Sequence, residues 1–269
     1  MKSKGSLIIC LILLLSNISF AGDLKAPEIP EGEVRVFKSY YATKKDQPDM
    51  DNLLMKAMLP FAPENYTGEM RWEGEGEKRQ LIYERNATLI NGAIARLTFT
   101  FDTSPDFRLR DFRNIIHAPD GTKLRDSYYD FTEPSLKYPD RTFSIYVGNM
   151  LIRSVDLAVG VRIPWNVWLS PTAVYPFRFT VVGEETITVP AGTFECYRIE
   201  GHLIPEGLTD LTGIILSKAL GKYYFWVEKG GSHGFVRLRW PLSSGLVPGL
   251  RTRYQTQDLV EIRGGEQKE

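Results

Sequence analysis

Three Arg-x-Arg pairs stand in strand-like stretches of the 269-residue chain: Arg108 with Arg110, Arg237 with Arg239, and Arg251 with Arg253. Residues i and i+2 of a strand share a face, so each pair aims two guanidinium groups the same way. Such a fork suits phosphate or carboxylate oxygens. The second and third pairs flank "WPLSSGLVPGL", which reads as a hairpin connection, so four groups could lie side by side and meet an anionic head group. The same pattern also suits a solvated face, with each arginine paired across strands to an acid such as Glu228 or Glu261. Trp226 lies close by in "YYFWV", sharing a face with Tyr224 while Tyr223 and Phe225 take the other. Trp165 and Trp168 in "IPWNVWLSP" must point to opposite sides of a regular strand; one is expected in the core.

Other reactive side chains form no recognisable constellation. His117, His202 and His233 are far apart, and none stands in a ligand pair such as HExxH. No GxSxG elbow is present. In "GGSHG", Ser232 and His233 are neighbours whose side chains diverge on a strand, and the glycines suit a turn. The acids of "EGEGEK" at 73–78 would repel a phosphate. Carboxylate pairs such as Glu184 with Glu185 are too common among 33 acids to point to glycosidase chemistry. Cys196 falls in mid-strand, where a buried inert thiol is expected. The expectation is a protein without catalytic residues, metal or cofactor.

The elements that must position these residues follow from periodicity. "RQLIYERNATLINGAIARLTFTFD" alternates on both arms: Leu81, Tyr83, Ala87 and Leu89, then Ala93, Ala95, Leu97, Phe99 and Phe101. Asn91-Gly92 predicts a tight two-residue turn between them. "APDGTK" at 118–123 marks a second turn, and strand-like runs continue over 142–153, 161–169, 174–189, 193–200, 222–228, 234–240 and 250–262. "VPAGTF" predicts a hairpin corner with a three-residue loop and a bulge at Gly192. Two stretches have helical spacing instead. One is 48–63, through Leu53, Leu54, Ala57 and Met58; the other is 208–221, through Leu208, Leu211, Ile215 and Ala219. The fold class read from this is mainly β: a large curved antiparallel sheet, a half-barrel or open barrel, with one or two short covering helices. Leu211 and Ile215 would face the sheet's apolar side.

The first residues, "MKSKGSLIICLILLLSNISFAGD", have the three-part layout of a secretory signal peptide cleaved after Ala21. Its apolar run is too short to span a bilayer. The 248 residues beyond it are divided into a leader and first strand region over 22–47, of which 22–32 reads as flexible, a single β-rich domain over 48–263, and a polar tail over 264–269. Losing Lys2 and Lys4 from 33 basic residues leaves 31 against 33 acids, a balance that argues against nucleic acid as a partner. Only Cys196 remains beyond the signal sequence, so a core and not a disulfide must hold the fold.

The chain also resembles a bacterial family known as domain of unknown function 3108. The likeness lies in the hairpin Gly183–Arg198, "GEETITVPAGTFECYR", in the strand ending Trp226-Val227-Glu228-Lys229, and in "YDFTEPSLKYPDRTFSIYVG". It covers residues 80–262. The resemblance implies export in bacteria with two membranes and a curved half-barrel like that of periplasmic lipoprotein carriers, whose concave sheets hold acyl chains. It supplies no catalytic residues. The function expected is a periplasmic, non-enzymatic protein that binds or carries a lipid-like amphiphile or a lipoprotein acyl chain. Leu211, Ile215 and Trp226 would line the apolar site, and Arg237, Arg239, Arg251 and Arg253 would meet the head group. A structural or interaction module with no ligand cavity is the alternative, and an envelope hydrolase ranks third.

Overall fold

A computed structural model describes residues 24, 26–27, 29–30, 32–40, 63–89, 91–103, 107–133, 138–139, 141–144, 147–170, 173–204, 221–230, 233–243 and 253–264. The expected signal peptide, the helix over 48–63 (apart from Pro63), and the helix over 208–221 with Leu211 and Ile215 (apart from Gly221) lie outside them, as does Arg251.

Thirteen strands form one curved sheet that does not close. They are β1 (Val34–Tyr40), β2 (Pro63–Glu73), β3 (Gln80–Leu89), β4 (Ile94–Asp102), β5 (Arg108–His117), β6 (Lys123–Asp130), β7 (Thr142–Ser144), β8 (Arg162–Ser170), β9 (Ala173–Val189), β10 (Gly192–Leu203), β11 (Tyr223–Glu228), β12 (Phe235–Ser243) and β13 (Arg253–Arg263). The order is β6-β5-β4-β3-β2-β1-β13-β12-β11-β10-β9-β8-β7. The first and last strands therefore meet in the middle, and two meanders run outward from them. All neighbours are antiparallel except β7 and β8. The proline-bearing connection after β6 links one edge of the sheet to the other.

The alternation read from the sequence holds on β3 and β4. Leu81, Tyr83, Ala87 and Leu89, and Ala95, Leu97, Phe99 and Phe101, are all buried on one face. That inner face carries a train of rings: Tyr83 on Phe99, Phe99 on Phe112, and Phe112 on Tyr129. Trp165, Phe177 and Phe179 form a second cluster, which reaches Tyr223 and Phe225. Both Trp165 and Trp168 are buried, where one was expected. Trp168 is covered by Tyr129 and Phe131 from the far edge, because the curvature brings the two ends of the sheet together.

Three local expectations change. Residues 142–153 are not one strand: after β7 comes a short helix, α1 (Gly148–Arg153), with Met150, Leu151 and Ile152 completely buried. An apolar run enclosed on all sides has no period to reveal its type. The two hairpin loops exchange lengths. Thr88 pairs with Ile94, so 90–92 is a three-residue loop, closed by Gly92 at φ 80° and by the Asn91 carboxamide accepting the Ala93 N–H. Val189 pairs directly with Gly192, which leaves only Pro190 and Ala191 in the other loop, with Gly192 at φ 143°. Described residues of the stretch read as a flexible leader are packed: Pro27 and Ile29 are buried, and the Trp72 indole donates to the Ile29 carbonyl at 3.3 Å.

Candidate functional site

Trp226, Arg237 and Arg239 come together, but on the outer face. Within β11 the inward residues are Tyr223, Phe225 and Val227, all buried, and Trp226 lies between them on the other side. Register sets Trp226 opposite Arg237 and Arg237 opposite Asp258, so the three form a row. The Arg237 guanidinium grips Asp258 with both prongs, at 2.5 and 2.7 Å, and the Tyr40 hydroxyl donates to the same carboxylate at 2.9 Å. Burial raises the Tyr40 pKa, and the Asp258 carboxylate beside it raises it further. The Trp226 indole donates to Glu185. Arg239 lies over the Tyr254 ring at 4.5 Å.

The solvated-face reading therefore describes Arg237, though with a different acid. Glu228 and Glu261, the partners expected from sequence, go to Arg35 and Arg263. Arg108 and Arg110 both bind Asp102. Of the four-arginine array, Arg251 lies outside the described residues, and the ladder places the rest. Arg239 is opposite Thr256, and the Arg253 backbone is opposite Ser243, three residues further along β13, or about 10 Å. The side chain of Arg253 lies outside the described residues.

The inner face holds what the sequence reading passed over. Arg85 interrupts the alternation of "LIYERNATL" at an inward position and is 5% exposed. Its guanidinium stacks 4.0 Å over Tyr66 and lies 5.4 Å from the centre of Trp240. It borders a cleft lined also by Tyr83, Trp165 and Phe177. The signal was present: a charged residue at the centre of a strictly apolar alternation. The free volume of the cleft is about 20 Å³. That is room for one or two waters, whereas small-molecule sites run to several hundred Å³.

Beside it lies a buried ionic cluster. Glu33, just before β1, accepts from Arg35 at 3.1 and 3.2 Å and from Arg153 of α1 at 3.1 Å. All three are at most 5% exposed. Arg35 also donates to the Phe235 carbonyl at 3.2 Å, and Arg153 contacts the Met70 sulfur. Burial pushes the Glu33 carboxyl up, but Arg153 and Arg35 together hold it below its ordinary value. A Cβ at Gly234 would stand 2.0 Å from Arg35 Cζ, so glycine leaves the guanidinium its place. The cluster ties the leader, the first strand and α1 together.

Among the described residues, no cluster of three His, Cys, Asp or Glu could hold a metal. His233 Nδ1 lies 3.1 Å from the Glu228 carbonyl and His202 Nε2 3.5 Å from Arg178. Cys196 is buried, and burial, with Glu228 and Glu185 adding to it, pushes its thiol up to about 12. It is expected to resist a thiol-reactive chromogenic disulfide in the native protein and to react fully in denaturant. Fast native labelling would contradict that burial.

These features define a class: an open, curved, mainly β protein with a packed inner face and a charged, ring-bearing outer face. No family model and no curated protein matches the chain. The solved structures that are similar include three bacterial proteins. One is a candidate lipoprotein from Parabacteroides distasonis, with 13% identity, TM-score 0.36, and coverage of 90% of this chain and 100% of that one. A candidate exported protein with a YmcC-like fold from Bacteroides fragilis has 12% identity, TM-score 0.34 and the same coverage. A β-barrel-like protein of domain of unknown function 1849 from Brucella abortus has 8% identity, TM-score 0.45, and coverage of 89% and 98%.

Proposed function

We propose that this protein is an exported, non-catalytic structural or interaction module of the cell envelope, belonging with the domain of unknown function 3108 proteins whose hairpin it shares. One observation carries this reading. Among the described residues, the inner face that a carrier would keep for its cargo is packed with the protein's own rings and with α1, and the cleft at Arg85 has about 20 Å³ free. The signal-peptide layout supports export to the periplasm. Native mass spectrometry of protein purified from periplasm should return the mass of the bare chain, and fluorescent fatty acids should not be taken up. A co-purified amphiphile, or saturable uptake, would overturn the reading.

A second reading keeps the amphiphile carrier, and the lining of the cleft favours it. Tyr66, Trp165, Phe177 and Trp240 make an aromatic wall, with a guanidinium at its margin to meet a head group. It requires the interior to open, and the same two measurements decide between the readings.

A further inference from the structure

An open sheet has two edges, and here they differ. Every residue of β7 is buried. β6 is the opposite case: Lys123 to Asp126 are exposed, and Leu124 and Tyr128 are each 61% exposed, the highest values among the large apolar side chains described. On its inward side β6 is held firmly, Tyr129 packing on Phe112 and Trp168. On its outer side Asp126 collects Arg113, at 3.1 and 3.2 Å, and Lys123 at 3.3 Å. Beyond β6, no strand among the described residues pairs with it. An exposed edge of eight residues is a template for another strand.

We propose that β6 is the surface through which two copies of this chain associate, edge to edge and antiparallel, about a two-fold axis at Asp126. This names the partner of the interaction module proposed above and rests on that reading. The strand is self-complementary in this register. Leu124 of each copy faces Tyr128 of the other, twice, on the outer face, and Arg125 faces Ser127. The two Asp126 carboxylates meet, but each brings its own Arg113 and Lys123, so four cations surround two anions. A slip of one residue would set outward side chains against inward ones, and a slip of two would set Leu124 against Asp130 or Asp126. The irregularity between Ile116 and His117 passes over Leu124, which bulges between Lys123 and Arg125, while Arg125 to Asp130 keep a regular register along the edge.

Sedimentation and native mass spectrometry of the full mature chain test this up to about 100 µM, a range that detects weak association. The expected result is a concentration-dependent dimer. Leu124→Lys combined with Tyr128→Lys should give a monomer with an unchanged circular-dichroism spectrum, because both side chains are exposed. Asp126→Cys should form a disulfide-linked dimer under mild oxidation, the native Cys196 being buried. A chain that stays monomeric, a dimer that survives the double lysine variant, or an Asp126→Cys dimer that never cross-links overturns the proposal. A monomer of bare mass would remove this edge while leaving the module reading standing; a bound amphiphile in the same spectrum would remove the module reading itself.

Discussion

Glu33→Gln is expected to cost the fold about 3–5 kcal/mol, the usual penalty for removing one partner of a buried ion pair. The substitution keeps the side chain's shape and removes its charge. Arg35 and Arg153 would then face each other in the interior without the carboxylate between them, Glu228, itself a third exposed, standing 3.4 Å from Arg35. Two buried cations without their central anion cannot be rehydrated unless α1 leaves the trough or the leader detaches. Against a typical stability of about 5–15 kcal/mol, that is a large share. Urea unfolding followed by tryptophan fluorescence is the measurement, read as a lowered midpoint at constant slope. Arg71→Ala is the control. Its bridges to Glu73 and Glu84 are on the surface, the arginine side chain being 38% exposed, and its loss should cost less than about 1 kcal/mol. The pH dependence has a definite sign. Because the folded carboxyl of Glu33 is held below its ordinary 4.5, the cluster's contribution is present above that pH and fades as the pH falls below it. The wild type's advantage over Glu33→Gln should therefore shrink in acid. A cost under about 1 kcal/mol, or an advantage independent of pH down to unfolding, would show that the cluster does not hold the plug.

Phe179→Ala is expected to cost a similar amount, about 3–5 kcal/mol, for a different reason. Its ring lies within 5.2–5.4 Å of the centres of Trp165, Phe177 and Phe225 and is 1% exposed. Neighbouring backbone is packed so closely on it that a Cβ at Gly201 would meet the ring at 2.7 Å and one at Gly148 at 3.1 Å. Truncation removes a large apolar side chain and leaves a void that these rigid rings cannot collapse into. The same variant separates the two functional readings. A filled core predicts a destabilised protein that newly binds small apolar molecules in the void. A carrier groove, already able to open, predicts little loss of stability and a change in existing fatty-acid uptake. Thermal and urea unfolding, with and without benzene, distinguish them.

How much of this was legible beforehand depends on the range of the interaction concerned. Strand periods were, since Leu81 to Phe101 alternate within one hairpin and the pattern needs no distant partner. The existence of both hairpins was legible from Asn91-Gly92 and Pro190 to Gly192, but their loop lengths were not. Register across a pair depends on the whole ladder, and turn residues tolerate two or three positions. Helix α1 escaped because an enclosed apolar run carries no face. Arg85 was visible as a break in the alternation, yet its meaning depends on Tyr66 and Trp240, one of them 155 positions away.

Composition and period alone determined a mainly β chain, held by a core without disulfides, with a signal-peptide layout at its start. Only the tertiary structure decided that Trp226 and Arg237 face outward, that Asp258 and not Glu228 neutralises Arg237, and that among the described residues rings and α1 pack the inner face while no strand pairs with the far side of β6. The physical reason is that side-chain direction follows from neighbours one and two residues away. Pairing, filling and exposure follow from β1 meeting β13 and from the curvature of thirteen strands, which no local stretch encodes.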